Sequence, residues 1–246
     1  MKNEDDILLV DKPSGMTSFD VIRALRTKLS TKKMGHAPKS LRMGHAPKSL
    51  RMGHAPKSLR MGHAGTLDPL ATGLLIIGVG EGTKKMSEFL KLPKEYEAEI
   101  MLGVQTDTGD TDGKVIQETP VAEIQKETIQ DALLSLVGDI DLPVPLYSAV
   151  KQKGKPLYWR VRRGEEVIPP VKTMHVENVE LMGVSYEEGR IRIQARMNVG
   201  SGTYIRSLAE ELGRILGFPA TISALRRTRI GEYSIHDAQS LEEVSV

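Results

Sequence analysis

The chain has 246 residues, enough for one large or two small domains around a real core. It contains no cysteine, which excludes a disulfide framework, a thiolate metal site and a cysteine nucleophile, and its acidic opening hexapeptide leads into only four apolar residues, so a cytoplasmic protein with no membrane segment is expected. The formal charge of +2 is owed to a repeated unit: removing its six basic residues from 34 leaves 28 against 32 acidic ones, a net of −4, so overall charge does not argue for nucleic acid.

Residues 7–10, Ile-Leu-Leu-Val, read as a short buried strand, and a turn-rich loop follows at 11–18. Apolar spacing then becomes helical at Val21, Ile22, Leu25 and Leu29, with Ser18 as the N-cap. Lys12, taken by its neighbours alone, reads as a solvated surface lysine. Next, Met-Gly-His-Ala-Pro-Lys-Ser-Leu-Arg occurs three times without change, at 34–42, 43–51 and 52–60, and a fourth Met-Gly-His-Ala opens at Met61. The unit is too short for a solenoid, carries a proline in each copy and offers only Met and Leu to a core, so an exposed, mobile inserted loop is expected. His36, His45, His54 and His63 recur at nine-residue spacing, which matches no compact metal pattern; no metal site is expected there.

Residues 61–73, Met-Gly-His-Ala-Gly-Thr-Leu-Asp-Pro-Leu-Ala-Thr-Gly, read as a polar, glycine-rich loop entering the apolar strand 74–79. Gly62, Gly65 and Gly73 supply backbone freedom and Pro69 stiffens the chain directly after Asp68, so one carboxylate is held at the mouth of a strand. A turn-capping aspartate would use the same residue types. The twelve residues 62–73, however, resemble the catalytic motif of the TruB-type tRNA pseudouridine synthases. Without residues 34–60, Lys33 joins Met61 and the sequence reads as that family runs.

The remaining chain carries further resemblances. Asp-Lys-Pro-x-Gly-x-Thr-Ser at 11–18 is similar to the family's N-terminal motif, in which Lys12 and Pro13 support the active-site loop. Residues 82–90 read as helical, and 95–102 alternate as a strand. Tyr96, on spacing alone a packing residue, lies in a segment resembling the motif whose tyrosine rests against the target base. The acidic loop 106–113 fails the EF-hand pattern, with Gly109 and Asp112 where an oxygen ligand and a glycine are needed, and resembles an element bordering the family's active site. An amphipathic helix is expected at 126–137, stopped by Gly138.

The prolines at 143 and 145 exclude a central strand there, and Tyr158, Trp159 and the basic residues around them fit an RNA surface or a solvated helix equally. Residues 174–184 and 190–197 read as a hairpin, with Ile191, Ile193, Ala195 and Met197 on one face and Arg190, Arg192 and Arg196 on a face that could meet phosphate. Residues 202–208 open a helix ending at Gly217 and resemble the motif whose tyrosine and arginine line the site. Leu-Arg-Arg at 225–227 resembles the family's closing strand, and a short terminal helix is expected at 237–244.

The resemblance implies an α+β pseudouridine synthase fold, a large mixed, mostly antiparallel sheet flanked by helices, and a single catalytic domain over 1–246 with 34–60 as its insert. It implies an isomerase acting on the T-arm loop uridine of tRNA, position 55 in tRNA numbering, as a monomer needing no cofactor and no metal. Asp68 would be the catalytic carboxylate, Arg206 its ion-pair partner and Tyr96 the platform for a flipped base; His63, Tyr204, Lys12, Leu225, Gly65 and Thr66 would contact substrate. The alternatives are an impaired tRNA-binding or remodelling protein, its active-site loop disturbed by the insert, and a metal- or phosphate-binding regulatory domain built on the repeats. Many family members carry a further C-terminal RNA-binding domain, and none is expected in this chain.

Overall fold

The computed structural model describes residues 7–34 and 60–244, and the side chains among them except those of 29–34. The repeats, with His36, His45, His54 and the expectation of a mobile insert, lie outside the described residues, apart from Met34 and Arg60 at their borders. The chain folds as two units, one running to Leu90 and resuming at Tyr233, the other Lys91–Glu232.

The first unit is built on β3 (Thr72–Val79), in which Leu74, Leu75, Ile76 and Ile77 are all fully buried. A continuous apolar run is what a strand covered on both faces requires. β1 (Ile7–Lys12) pairs antiparallel along one edge of β3, and β2 (Met61–Ala64) along the other. The residues 61–64, expected as loop, are therefore a strand; one large apolar residue followed by Gly, His and Ala gives no alternation to read, and only pairing with β3 reveals them.

α1 (Ser18–Met34) buries Val21, Ile22 and Leu25 against Leu75, Ile77 and Val79. Its cap differs from expectation. Thr17 and Asp20 form a reciprocal box, with Thr17 Oγ1 accepting from Asp20 N at 3.1 Å and Asp20 Oδ2 from Thr17 N at 2.9 Å, which leaves the Ser18 hydroxyl for another task. After β3 comes a 3-10 turn, Gly80–Lys85, then α2 (Met86–Lys91), where a single helical stretch was expected.

The second unit is an antiparallel sheet in which β4 (Lys94–Leu102) lies between β12 (Ala220–Ile230) and β11 (Arg190–Val199). β10 (Val171–Glu187) continues from β11, and β7 (Gly138–Pro143) forms the edge, where its terminal proline breaks no ladder. The face carrying Ile100, Ile193, Ala195 and Met197 is buried, and α3 (Lys126–Leu134) and α5 (Ile205–Leu216) pack on the strands of this unit. α3 stops at Leu134, three residues early, and Gly217 closes α5 in the left-handed conformation (φ 80°) as expected.

The opposite face of the sheet corrects the phosphate expectation. Arg192 is bonded to Glu99 (2.9 Å) and Glu187 (2.7 Å), Arg196 to Glu97 (3.0 Å) and Glu180 (3.1 Å), and Arg190 to Glu118 (2.6 Å). These cations are matched by glutamates of neighbouring strands, a pairing set by register and invisible in one strand's sequence.

Smaller elements complete the units. The second holds the hairpins β5 (Val104–Thr106) with β6 (Val115–Glu118) and β8 (Lys151–Gln152) with β9 (Lys155–Pro156), and the short helix α4 (Leu157–Val161). Two cations stand over the Trp159 ring, Lys155 Nζ 4.2 Å and Arg163 Cζ 4.6 Å from its centroid.

The expected terminal helix is absent. In its place are β13 (Tyr233–Ser234), a 3-10 turn Ile235–Asp237 and β14 (Gln239–Ser240), which pairs parallel with β1. One turn at 240–244, closed by Ser240 Oγ donating to Glu243 at 2.8 Å, is all that remains helical. β1's free edge and the apolar pocket that takes Val244 decide this, and neither is visible from the segment itself. No helix among the described residues is long and apolar enough to cross a membrane.

Candidate active site

In the first unit the residues connecting β2 to β3 carry Asp68, half-buried, and they are held by the 12–18 loop on both sides of that residue. Before it, Ser18 Oγ accepts from Leu67 N at 2.9 Å and lies 3.3 Å from Leu67 O. After it, Pro69 O accepts from Gly15 N at 2.9 Å and from Lys12 Nζ at 3.3 Å, and Ser14 Oγ donates to Leu70 O at 3.2 Å. The backbone flanking Asp68 is thus tied at 67, 69 and 70, which restricts where its carboxylate can be.

Lys12 is fully buried, contrary to the surface position its neighbours suggested. Its ammonium also donates to Pro13 O (2.9 Å) and Met16 O (2.5 Å), so a charge with three donors replaces water with carbonyl oxygens of both loops. Gly65 takes φ +80° directly after β2, a conformation that a side chain disfavours. Thr66 is exposed, and His63 sits half-buried on β2 opposite Ile77.

In the second unit Arg206 occupies the first turn of α5 and is 6 % exposed. Nη1 donates to Thr108 O at 2.6 Å and Nη2 to Tyr147 O at 3.2 Å, and Asp110 Oδ2 is 3.9 Å from Nη1. Asp110 is itself buried and anchored: its Oδ1 accepts from Thr108 Oγ1 at 2.7 Å and from Asp112 N at 3.2 Å. Asp110 was missed by sequence reasoning, although the loop 106–113 that carries it was singled out. The available signal was Gly109, which has φ +77° and packs its bare Cα against Arg206 and Glu210; a Cβ there would lie 3.1 Å from Glu210 Oε1. Burial pushes the Glu210 carboxyl above its usual range, opposed by the charge of Arg206.

Tyr96 is buried on β4, with Met197 and Arg227 as its cross-strand partners, and Leu225 follows on β12 opposite Ala98. Tyr204 precedes α5 in extended backbone, half-buried, its N–H donating to the Met174 sulfur at 3.5 Å. The second unit therefore gathers Tyr204 and Arg206 at one helix start and Tyr96 and Leu225 on adjacent strands, while the first gathers Lys12, Gly65, Thr66 and Asp68 around one connection. Among the described residues no cluster of three histidine or acidic side chains is arranged to hold a metal ion.

Residues 53–205 match the TruB family pseudouridylate synthase N-terminal domain, and residues 206–246 the tRNA pseudouridylate synthase B C-terminal domain. The chain belongs to the TruB family. The match covers both the Asp68 connection and the α5 start. Among similar proteins is the tRNA pseudouridine synthase B of Xanthomonas axonopodis pv. citri, 40% identical over 239 residues, covering 97% of this chain and 68% of that relative. The protein of the same name from Aromatoleum aromaticum is 38% identical over 237 residues, covering 96% and 67%. This TruB family member is accordingly a tRNA pseudouridine synthase, an isomerase.

Solved structures agree on the fold. A chain of a Cbf5-Nop10-Gar1 complex superposes with a TM-score of 0.64 at 24% identity, over 98% of this chain and 53% of that one. A chain of an H/ACA RNP bound to a substrate RNA containing 2′-deoxyuridine gives 0.62 at 22%, over 98% and 52%. The chain spans about half the length of those two. The fold is that of the pseudouridine synthases, α+β with a large mixed sheet, as expected.

Proposed function

We propose that this TruB family member converts the T-loop uridine of tRNA, position 55, to pseudouridine in the cytoplasm, with Asp68 as the catalytic carboxylate acting on a base taken out of its stack. The reaction is an isomerisation. The bond from N1 to C1′ breaks, the base turns, C5 bonds to C1′, the C5 proton leaves and N1 ends protonated, so atoms balance without donor or oxidant. What it needs is a carboxylate of fixed position, a cation that favours its ionised form, and aromatic surface for the extruded base. Asp68 supplies the first, Arg206 the second, and Tyr96 and Tyr204 the third. His63, Gly65, Thr66 and Leu225 are assigned to substrate contact, and Lys12 to the support of the Asp68 connection.

The observation that carries the reading is the restraint on Asp68, whose neighbours 67, 69 and 70 are each bonded to the 12–18 loop. A turn-capping aspartate needs no such scaffold. Asp110 joins the assignment as the residue that orients Arg206. Tritium release from C5-labelled uridine in unmodified tRNA transcript tests the proposal: the parent releases tritium, and Asp68→Asn loses at least about three orders of magnitude of rate while still binding tRNA. An Asp68→Asn chain that still turns over would defeat it.

A further inference from the structure

The segment between β11 and α5 carries Tyr204 into place, and it is tied from β10. Gly200 N and Thr203 Oγ1 both donate to His175 O, at 2.9 and 3.2 Å, and Tyr204 N donates to the Met174 sulfur at 3.5 Å. These bonds hold the backbone on either side of Gly202. Gly202 between them takes φ +75°.

The Gly202 carbonyl accepts from Lys172 Nζ at 2.8 Å, and the same ammonium stands 6.0 Å from the centroid of the Tyr204 ring. A Cβ on Gly202 would collide with Lys172 Nζ, so the glycine makes room for the lysine as well as for the left-handed turn. Lys172 is exposed and lies at the first positions of β10, opposite Leu142 of β7. An exposed lysine normally samples many rotamers. Here a carbonyl and a ring face lie within reach of one another, and both are met by one conformation of the side chain.

We infer that Lys172 is a positioning residue for Tyr204: its ammonium ties the Gly202 carbonyl and stands over the tyrosine ring at 6.0 Å, biasing that ring toward the orientation used on the flipped base. This rests on the reading of Tyr204 as a substrate-contacting residue. Lys172 itself need touch no substrate atom. Its effect passes through the ring, and it is therefore felt in the rate of the chemical step more than in affinity for tRNA.

Single-turnover pseudouridine formation and tRNA binding, measured on the full chain, separate the possibilities. Lys172→Met should lower the single-turnover rate constant about tenfold with Kd for tRNA changed less than about twofold, and Lys172→Arg should restore most of the rate. In a Tyr204→Leu background, Lys172→Met should cost less than about twofold further, since the ring through which it acts is gone. A parental rate for Lys172→Met, an equal loss in the Tyr204→Leu background, or a rise in Kd with the rate constant unchanged would each overturn the inference, the last marking a phosphate contact. Melting temperature measured beside each variant shows whether the fold is kept; a rate loss in Lys172→Met accounted for by an equal loss of folded protein also counts against it. Asp68→Asn in the same assay tells the two readings apart: its activity would sink the proposed site, whereas a silent Asp68→Asn beside a parental Lys172→Met sinks only the role of Lys172.

Discussion

Lys12 shows how much a single side chain can depend on neighbours far along the chain. Its ammonium is buried among Pro13 O, Met16 O and Pro69 O, so removing it takes the lysine donor from Pro13 O and Met16 O and one of two donors from Pro69 O. Lys12→Met should cost about 2–4 kcal/mol, read as a lower melting temperature or denaturant midpoint, and should slow catalysis by loosening Asp68. Lys94 offers a pH test. Burial, aided by the charge of Arg227, pushes its ammonium down to about 8 from an ordinary 10.5. Between those values the unfolded chain binds the proton and the folded chain has released it, so stability contributed by this group rises with pH across that window. The melting temperature of the parent should therefore gain on that of Lys94→Met as pH goes from 8 to 10.5; a gap that stays constant would contradict the shift.

At the scale of elements, the arginines of β11 make the clearest case. Alternation placed Arg190, Arg192 and Arg196 on one face, and that placement is correct. The partners of Arg192 and Arg196 depend on β4 and β10, which bring Glu97, Glu99, Glu180 and Glu187 within bonding distance, and that of Arg190 on β6, which brings Glu118. Partly exposed pairs of this kind contribute only about 0–1 kcal/mol each. Arg192→Gln and Arg196→Gln should accordingly leave tRNA affinity within about twofold of the parent in a binding titration, with a melting temperature only slightly lowered. β2 teaches the converse lesson: Met61–Ala64 has no strand signature, yet it pairs residue by residue with β3 from Val79 to Ile76. The terminal segment, expected to be helical, instead supplies β14 to the edge of β1.

At the scale of the whole chain, three copies of a nine-residue unit occupy residues 34–60, and we propose that they are an insert in the family sequence. Deleting residues 34–60 puts Lys33 where Arg60 stands, and Arg60 contributes to the structure through its backbone carbonyl, which accepts from Gly80 N at 2.8 Å. Any residue supplies that carbonyl. The deletion chain should therefore isomerise tRNA with a rate constant within about threefold of the parent, since closing a longer loop costs only about 0.6 kcal/mol per doubling. A large gain in activity on deletion, seen in the same tritium assay, would mean that the repeats obstruct the site. By itself the sequence determined the family, the strands and helices with a clear period, the Gly217 stop and the segments that carry Asp68, Tyr96 and Arg206, because these depend on local spacing or on an unbroken run of residue types. Only the tertiary structure decided that Lys12 is buried, that Asp110 backs Arg206, that the β11 arginines are neutralised and that Lys172 reaches Tyr204. Each of those is a meeting of charges, carbonyls or rings distant in the chain, and no local pattern encodes which distant group will stand opposite.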